Sequence, residues 1–157
     1  MKWKTWSPYI ISALIALTVG GLSGLLSMAG MEAYSTSVMK PALTPPGWLF
    51  GVVWSILYAL MGIGAAKIWM SSESTAKNRG LNLYVAQLIV NFFWSLIFFN
   101  AQAFGFAFVW LLLLWVLVLL MIVHFYKVDK KAAVLQIPYL LWLTFAAYLN
   151  LGVWIMN

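Results

Sequence analysis

The chain lacks cysteine altogether and has only three acidic residues among 157. Without cysteine there is no disulfide framework, no thiolate metal site and no thiol nucleophile. The acids Glu32, Glu73 and Asp129 fall outside the long apolar runs, so no carboxylate is offered inside a membrane and a proton-driven pump is not expected. Charged residues make up 8% of the sequence, against ~25% in an ordinary soluble domain. Hydrophobic residues make up 65%, and twelve charged side chains cannot cover a globule of this size. The net charge of +6 comes from short basic tufts between apolar runs, a pattern of topology rather than of a nucleic-acid surface.

What is abundant is apolar sequence in lengths that cross a bilayer, for which ~20 residues suffice. A first span is expected over residues 9–29 and a second over 47–69. No charge occurs from Gly80 to Val123, about twice one span, so two helices are expected there, 81–99 and 104–126, with Asn100, Gln102 and Gly105 marking the break. A fifth follows over 132–156, with Pro138 expected to kink it. The fold class is therefore all-α, a single domain over residues 1–157 made of five transmembrane helices. The first apolar stretch exceeds the ~7 to 15 residues of a signal-peptide core, so it is expected to stay as a helix.

With five spans the termini lie on opposite sides. One side then holds Lys2, Lys4, Lys67, Lys77, Arg79, Lys127, Lys130 and Lys131, and the other only Lys40. The positive-inside rule places the N-terminus in the cytoplasm and the C-terminus outside, in a multi-pass protein of the cell membrane. Residues 30–46 form the one long outer connection. Pro41, Pro45 and Pro46 favour a stiff extended path there over a helix, either as a lid or as a plain link.

Polar side chains within a span are costly in lipid and mark faces that look inward. Tyr84, Gln87, Asn91 and Ser95 of the third span share a face with Trp94 and Phe98. The second span sets Phe50, Trp54, Tyr58 and Met61 on one face, and the fifth sets Tyr139, Trp142, Ala146 and Asn150. Facing stripes of this kind would wall an aromatic cavity in the outer half of the bilayer, the composition of a small-molecule site. The same spacing also serves helix packing, and the competing expectation is a packed structural or adaptor bundle with no ligand. Trp54, Trp94 and Trp142 are the interior candidates. Trp110 and Trp115 are expected to face lipid, and Trp3, Trp6, Trp48, Trp69 and Trp154 to anchor span ends.

Other signals are weaker. His124, at the inner end of the fourth span, is expected to snorkel to the interface rather than ligate haem. Gly20 and Gly24 form a small-residue step for helix contact, and Val123, Tyr126 and Lys130 fit only a loose sterol-contact pattern. No nucleophile with its base and no metal site is visible, so conventional hydrolysis or dehydrogenation is not expected.

Met39-Lys40-Pro41, Pro45-Pro46, Trp54-Ser55-Ile56-Leu57-Tyr58 and Met61-Gly62 resemble the signature of the translocator protein family, the tryptophan-rich sensory proteins or peripheral-type benzodiazepine receptors. Asn91, Trp94 and Phe98-Phe99 resemble its third helix, and Pro138-Tyr139-Leu140-Leu141-Trp142 through Ala146 to Asn150 its fifth. The resemblance covers nearly the whole chain. It implies a five-helix bundle, often a homodimer, that binds porphyrins such as protoporphyrin IX, and benzodiazepine-type or isoquinoline drugs, beneath the first long loop. It also implies storage, sensing, passage or light-dependent oxidative breakdown of the porphyrin, with Trp54 and Trp142 as the photochemical residues and no cofactor beyond the porphyrin itself. Carried over by position, the lining candidates are Tyr34, Trp54, Tyr58, Gln87, Asn91, Trp94, Tyr139, Trp142, Ala146 and Asn150. The chain departs from the family at its end, which lacks the tyrosine and basic residue of the vertebrate sterol segment. Trp110 stands where relatives can carry an acid, and Ala33 where an aromatic is common. Cholesterol is therefore not an expected ligand, and a bacterial member is expected rather than a mitochondrial one.

Overall fold

The computed structural model describes residues 2–157, and among these no strand occurs. In hydrocarbon every backbone N–H and C=O must find a partner within the chain, and a helix does this within one segment. The chain accordingly forms α1 (Lys2–Leu26), α2 (Met28–Ser37), α3 (Gly47–Trp69), α4 (Thr75–Ser95), α5 (Phe104–Val128), α6 (Lys130–Val134) and α7 (Ile137–Met156). Five stretches are long and apolar enough to span a membrane: α1, α3, α4 with the turn that follows it, α5, and α6 with α7. Their outward surfaces carry Ile, Leu and Val, including Leu14, Leu22, Ile56, Val109 and Leu141, which suits lipid as solvent.

Helix ends follow local chemistry. Ser74 caps α4, its Oγ accepting from the Lys77 backbone N–H at 3.1 Å. The Asp129 carboxylate caps α6, accepting from the N–H groups of Lys131 and Ala132 at 2.9 and 3.1 Å. The helix packing depends on small residues. A Cβ on Gly62 would run into the backbone of Ser12 and Ala13, so this glycine lets α1 and α3 lie backbone to backbone. At their basic ends α3 and the α6–α7 corner are joined by Gln136, whose Nε2 donates to the Leu60 carbonyl at 3.2 Å.

Three expectations need correction. The connection over 30–46 is not extended throughout: α2 is a helix to Ser37, and only the segment from Val38 to Pro46 lacks one. Its prolines all lie after Lys40, so they govern the second half alone. Pro138 does not kink a continuous helix; it sits in the first turn of α7, after the break at Leu135 and Gln136, where its missing N–H costs nothing. The third span starts earlier than expected, at Thr75, so Lys77 and Arg79 lie in its first turns.

The break between the third and fourth spans falls at residues 101–103, with Gln102 at φ 50°. Ahead of it, residues Leu96–Asn100 widen into a π-helical turn closed by the Ala101 N–H donating to the Leu96 carbonyl at 3.0 Å. Such bulges recur at functional sites because they redirect side chains. Here the turn seats α2. A Cβ on Gly30 would collide with the Phe99 carbonyl and the Asn100 amide, and Asn100 Nδ2 donates to the Leu26 carbonyl at 2.8 Å.

Candidate functional site

The end of the bundle carrying α2 and the 38–46 segment is called the loop face, and the opposite end, with its lysines, the basic face. α3 and α7 meet closely near the basic face through α6 and part towards the loop face, where aromatic side chains span the gap. Trp54 stands edge-on to Trp142 with ring centroids 6.5 Å apart, and Phe50 edge-on to Trp142 at 5.8 Å. Across the bundle Trp94 stacks on Phe98 at 4.9 Å. Edge-to-face and offset pairs of this kind are the favoured aromatic geometries. They frame a cavity of about 710 Å³, within the range of ~300–1,000 Å³ usual for ligand sites.

The floor is a hydrogen-bonded cluster. Asn91 Nδ2 donates to the Tyr58 and Tyr139 hydroxyls at 3.0 and 3.1 Å. The Tyr139 hydroxyl in turn donates to Gln87 Oε1 at 2.7 Å, and Gln87 Nε2 points to the Met61 sulfur at 3.7 Å. Each of these groups would be costly if left unpaired in a bundle core. One wall is fixed by Asn150, which accepts from Trp94 Nε1 at 3.2 Å and donates to the Phe104 carbonyl at 2.9 Å. Trp142 Nε1 is buried with no hydrogen-bond partner among the described residues.

The roof comes from α2 and the 38–46 segment. Tyr34 lies against Phe98 and Phe99 at 5.5 and 5.3 Å, and Lys40 Nζ lies 4.7 Å from the Tyr34 ring centroid while donating to the Val38 carbonyl at 3.0 Å. Burial pushes the Tyr34 phenol above its ordinary pKa, so it stays neutral beneath that cation. The segment is tied to α7. Asn157 Oδ1 accepts from the Met39 N–H at 3.1 Å, Asn157 Nδ2 donates to the Met39 carbonyl at 2.8 Å, and the Tyr148 hydroxyl donates to the Ala42 carbonyl at 2.8 Å.

Of the ten lining candidates, Tyr34, Trp54, Tyr58, Asn91, Trp94, Trp142, Ala146 and Asn150 reach the cavity wall. Gln87 and Tyr139 do not; at 0% and 1% exposed they lie behind the floor and hold Asn91 and Tyr58 in place. Their spacing matched the stripe, but they are one turn too near the basic face. The sequence reading did not assign α1 a wall of the cavity, yet Gly20, Gly21 and Gly24 form part of it. Gly20 lies under the Tyr58 ring, and a Cβ at Gly21 or Gly24 meets open space, so the small-residue step serves ring contact and cavity volume. Trp110 and Trp115 do not simply face lipid. Both are half-buried, and their indole N–H groups donate to the Val90 carbonyl at 2.7 Å and the Thr144 hydroxyl at 2.9 Å, each on a neighbouring helix.

The same arrangement of sequence is found in known proteins. The family model described as the TspO/MBR family matches residues 12–155. The tryptophan-rich protein TspO of Chlorobaculum tepidum is 36% identical over 147 residues, 91% of either chain. Protein CrtK of Rhodobacter capsulatus is 36% identical over 91% of this chain and 89% of its own. The translocator protein of Ovis aries is 36% identical over 95% of this chain and 89% of its own. With a match that runs through every spanning helix and every wall of the cavity, this chain belongs to the TspO/MBR family.

Proposed function

We propose that the chain binds a flat tetrapyrrole, protoporphyrin IX or a close relative, in the cavity beneath α2 and the 38–46 segment. The observation that carries this reading is the cavity itself: about 710 Å³ faced by Trp54, Trp94, Trp142, Phe50 and Phe98. Flat aromatic faces favour a planar apolar ligand over an acyl chain or an ion. A porphyrin also carries acidic edge groups, and Lys40 is the one basic side chain among the lining residues, placed at the roof where a carboxylate could reach both it and water. The drug classes of the family, benzodiazepine-type and isoquinoline compounds, are planar and aromatic and suit the same walls. A packed bundle without a ligand is disfavoured by the open volume, since a structural interior closes to near-crystalline density.

A light-dependent role follows from the two indoles. Trp54 and Trp142 both face the cavity and stand 6.5 Å apart, so a bound photoexcited porphyrin would lie against easily oxidised rings, and its oxidative breakdown is the proposed activity beyond binding. Passage of the porphyrin and assembly as a homodimer are further proposals from the family likeness.

The test is a dark titration of the purified, detergent-solubilised chain with protoporphyrin IX, following tryptophan quenching, beside Gly51→Phe. A Cβ at Gly51 meets nothing within 4 Å and the residue lines the cavity, so the added ring occupies ligand space without a backbone clash. Saturable quenching that Gly51→Phe weakens supports the reading. Quenching that never saturates, or that ignores the substitution, reports partition into micelles and sinks it.

A further inference from the structure

A second cavity lies towards the basic face, in the crevice between α1 and α4. Near the loop face these helices are tied together, Ser23 Oγ donating to the Phe92 carbonyl at 2.8 Å. Towards the basic face they leave a groove of about 480 Å³. Its floor is the small side chains Ala65 and Ala66 of α3, and its walls include Ile11 and Ile15 of α1 with Leu81 and Val85 of α4. Ile11, Ile15 and Val85 are exposed, so the groove opens sideways to the bilayer and not into the bundle.

Shape and charge select its occupant. Along α1 the groove runs from Ser7 to Ile15, ~12 Å at the rise of a helix, close to the ~15 Å depth of one leaflet's hydrocarbon. Its mean cross-section is then ~40 Å², about half of what a helix ~10 Å across would need, so a helix of a second copy does not fit inside it. An extended alkyl chain does. Trp69 lines the mouth with its ring 68% exposed, at the depth where indoles meet headgroups. Beside it stand cations. Among the described residues the one ion pair is Lys77 with Glu73, which leaves Lys4, one turn ahead of the groove on α1, and Lys67, between the lining residues Ala66 and Trp69, without an acidic partner.

We propose that this groove is a binding site for an anionic phospholipid of the adjoining leaflet, one acyl chain lying along Ala65 and Ala66 and the phosphate meeting Lys4 and Lys67. The site is separate from the aromatic cavity, and its occupant differs in kind: a flexible chain on a wholly aliphatic floor, held by charge at one end.

The full chain is reconstituted in phosphatidylcholine vesicles carrying a trace of phosphatidylglycerol with a photoreactive group in its acyl chain, and the cross-links are mapped. Labelling is expected to concentrate on residues 7–15 and 81–85 over the lipid-facing Val109 and Val116 of α5. Val85→Trp and, separately, Ile11→Trp fill the groove from exposed rim positions and are expected to abolish that excess while an unchanged helical circular-dichroism melt reports the fold. Lys4→Gln and Lys67→Gln are each expected to lower phosphatidylglycerol labelling about fivefold, the equivalent of ~1 kcal/mol for a basic side chain at an anionic surface, and to leave an equivalent phosphatidylcholine probe unaffected. Labelling spread evenly over α5, labelling blind to both groove-filling variants, or equal labelling by both headgroups would overturn the proposal.

Discussion

Truncation of Trp142 separates a binding site from a packed interior. In the folded chain this indole makes edge-to-face contacts with Phe50 and Trp54 at 5.8 and 6.5 Å. Such pairs contribute ~0.5–1.5 kcal/mol each, so Trp142→Ala is expected to destabilise the bundle by ~1–3 kcal/mol. Removing its unpartnered buried N–H offsets part of that loss. For the ligand the loss is one whole face. Stacking of a flat aromatic group on a protein ring is worth ~1–3 kcal/mol, so the dissociation constant for protoporphyrin IX in the dark is expected to rise about five- to 150-fold. The control is Trp110→Ala, which removes an equal side chain and its bond to Val90 but lies outside the cavity. Equal loss of affinity in both variants, or an unchanged dissociation constant in Trp142→Ala with only its stability lowered, would refute the reasoning and leave the packed-bundle reading in front.

Tyr139→Phe removes one oxygen that accepts from Asn91 and donates to Gln87. At ~0.6 kcal/mol for an average interhelical hydrogen bond in a membrane and ~1.7 at most, it should cost ~1–3 kcal/mol in a detergent unfolding titration, and porphyrin affinity should change less than in Trp142→Ala. Asn157→Leu cuts both bonds to Met39. Those two bonds are worth ~1–3 kcal/mol together, so the roof should open more readily and stopped-flow release of protoporphyrin should speed up at unchanged bundle stability; an unaltered release rate would mean the ligand does not leave by that path. Because the chain has no native cysteine, a cysteine at Lys130 is the sole thiol, and in intact cells a membrane-impermeant maleimide should leave it unlabelled; labelling there would reverse the orientation given by the lysine count.

The five spans were legible because lipid permits so few solutions: a charge-free stretch of the right length has to be a helix. The charge-free run twice that length showed that a break must exist, and polar Asn100 and Gln102 located it. The stripes on α3, α4 and α7 were legible for a similar reason, since amides and phenols in a span have nowhere to face but inward. Less legible was depth. Helical spacing places Gln87 and Tyr139 on the same faces as Asn91 and Trp142, and only the crossing of the helices decides that the cavity ends one turn short of them. The π-helical turn and the helicity of α2 were not readable either. Both arise from long-range contacts, Gly30 seated on Phe99 and Asn100 bonded to Leu26, which no local propensity encodes.

An open cavity inside a membrane bundle needs its own explanation, because lipid gives apolar helices no hydrophobic reason to stand apart or together. The chain solves this by making separation at one end follow from contact at the other. Gly62 draws α1 onto α3 along their middle, and Gln136 pins the α6–α7 corner to Leu60 of α3. Beyond these close points the helices diverge, and rings too large to fill the gap completely brace it. The Asn91 cluster then fixes how far apart α3, α4 and α7 stand, since one amide nitrogen reaches Tyr58 and Tyr139 at once. Asn91→Leu would keep the volume but release that spacing, so the walls should collapse inward: binding should be lost while the bundle keeps its helices in circular dichroism. Retained saturable binding by Asn91→Leu would show that the aromatic braces alone hold the cavity open.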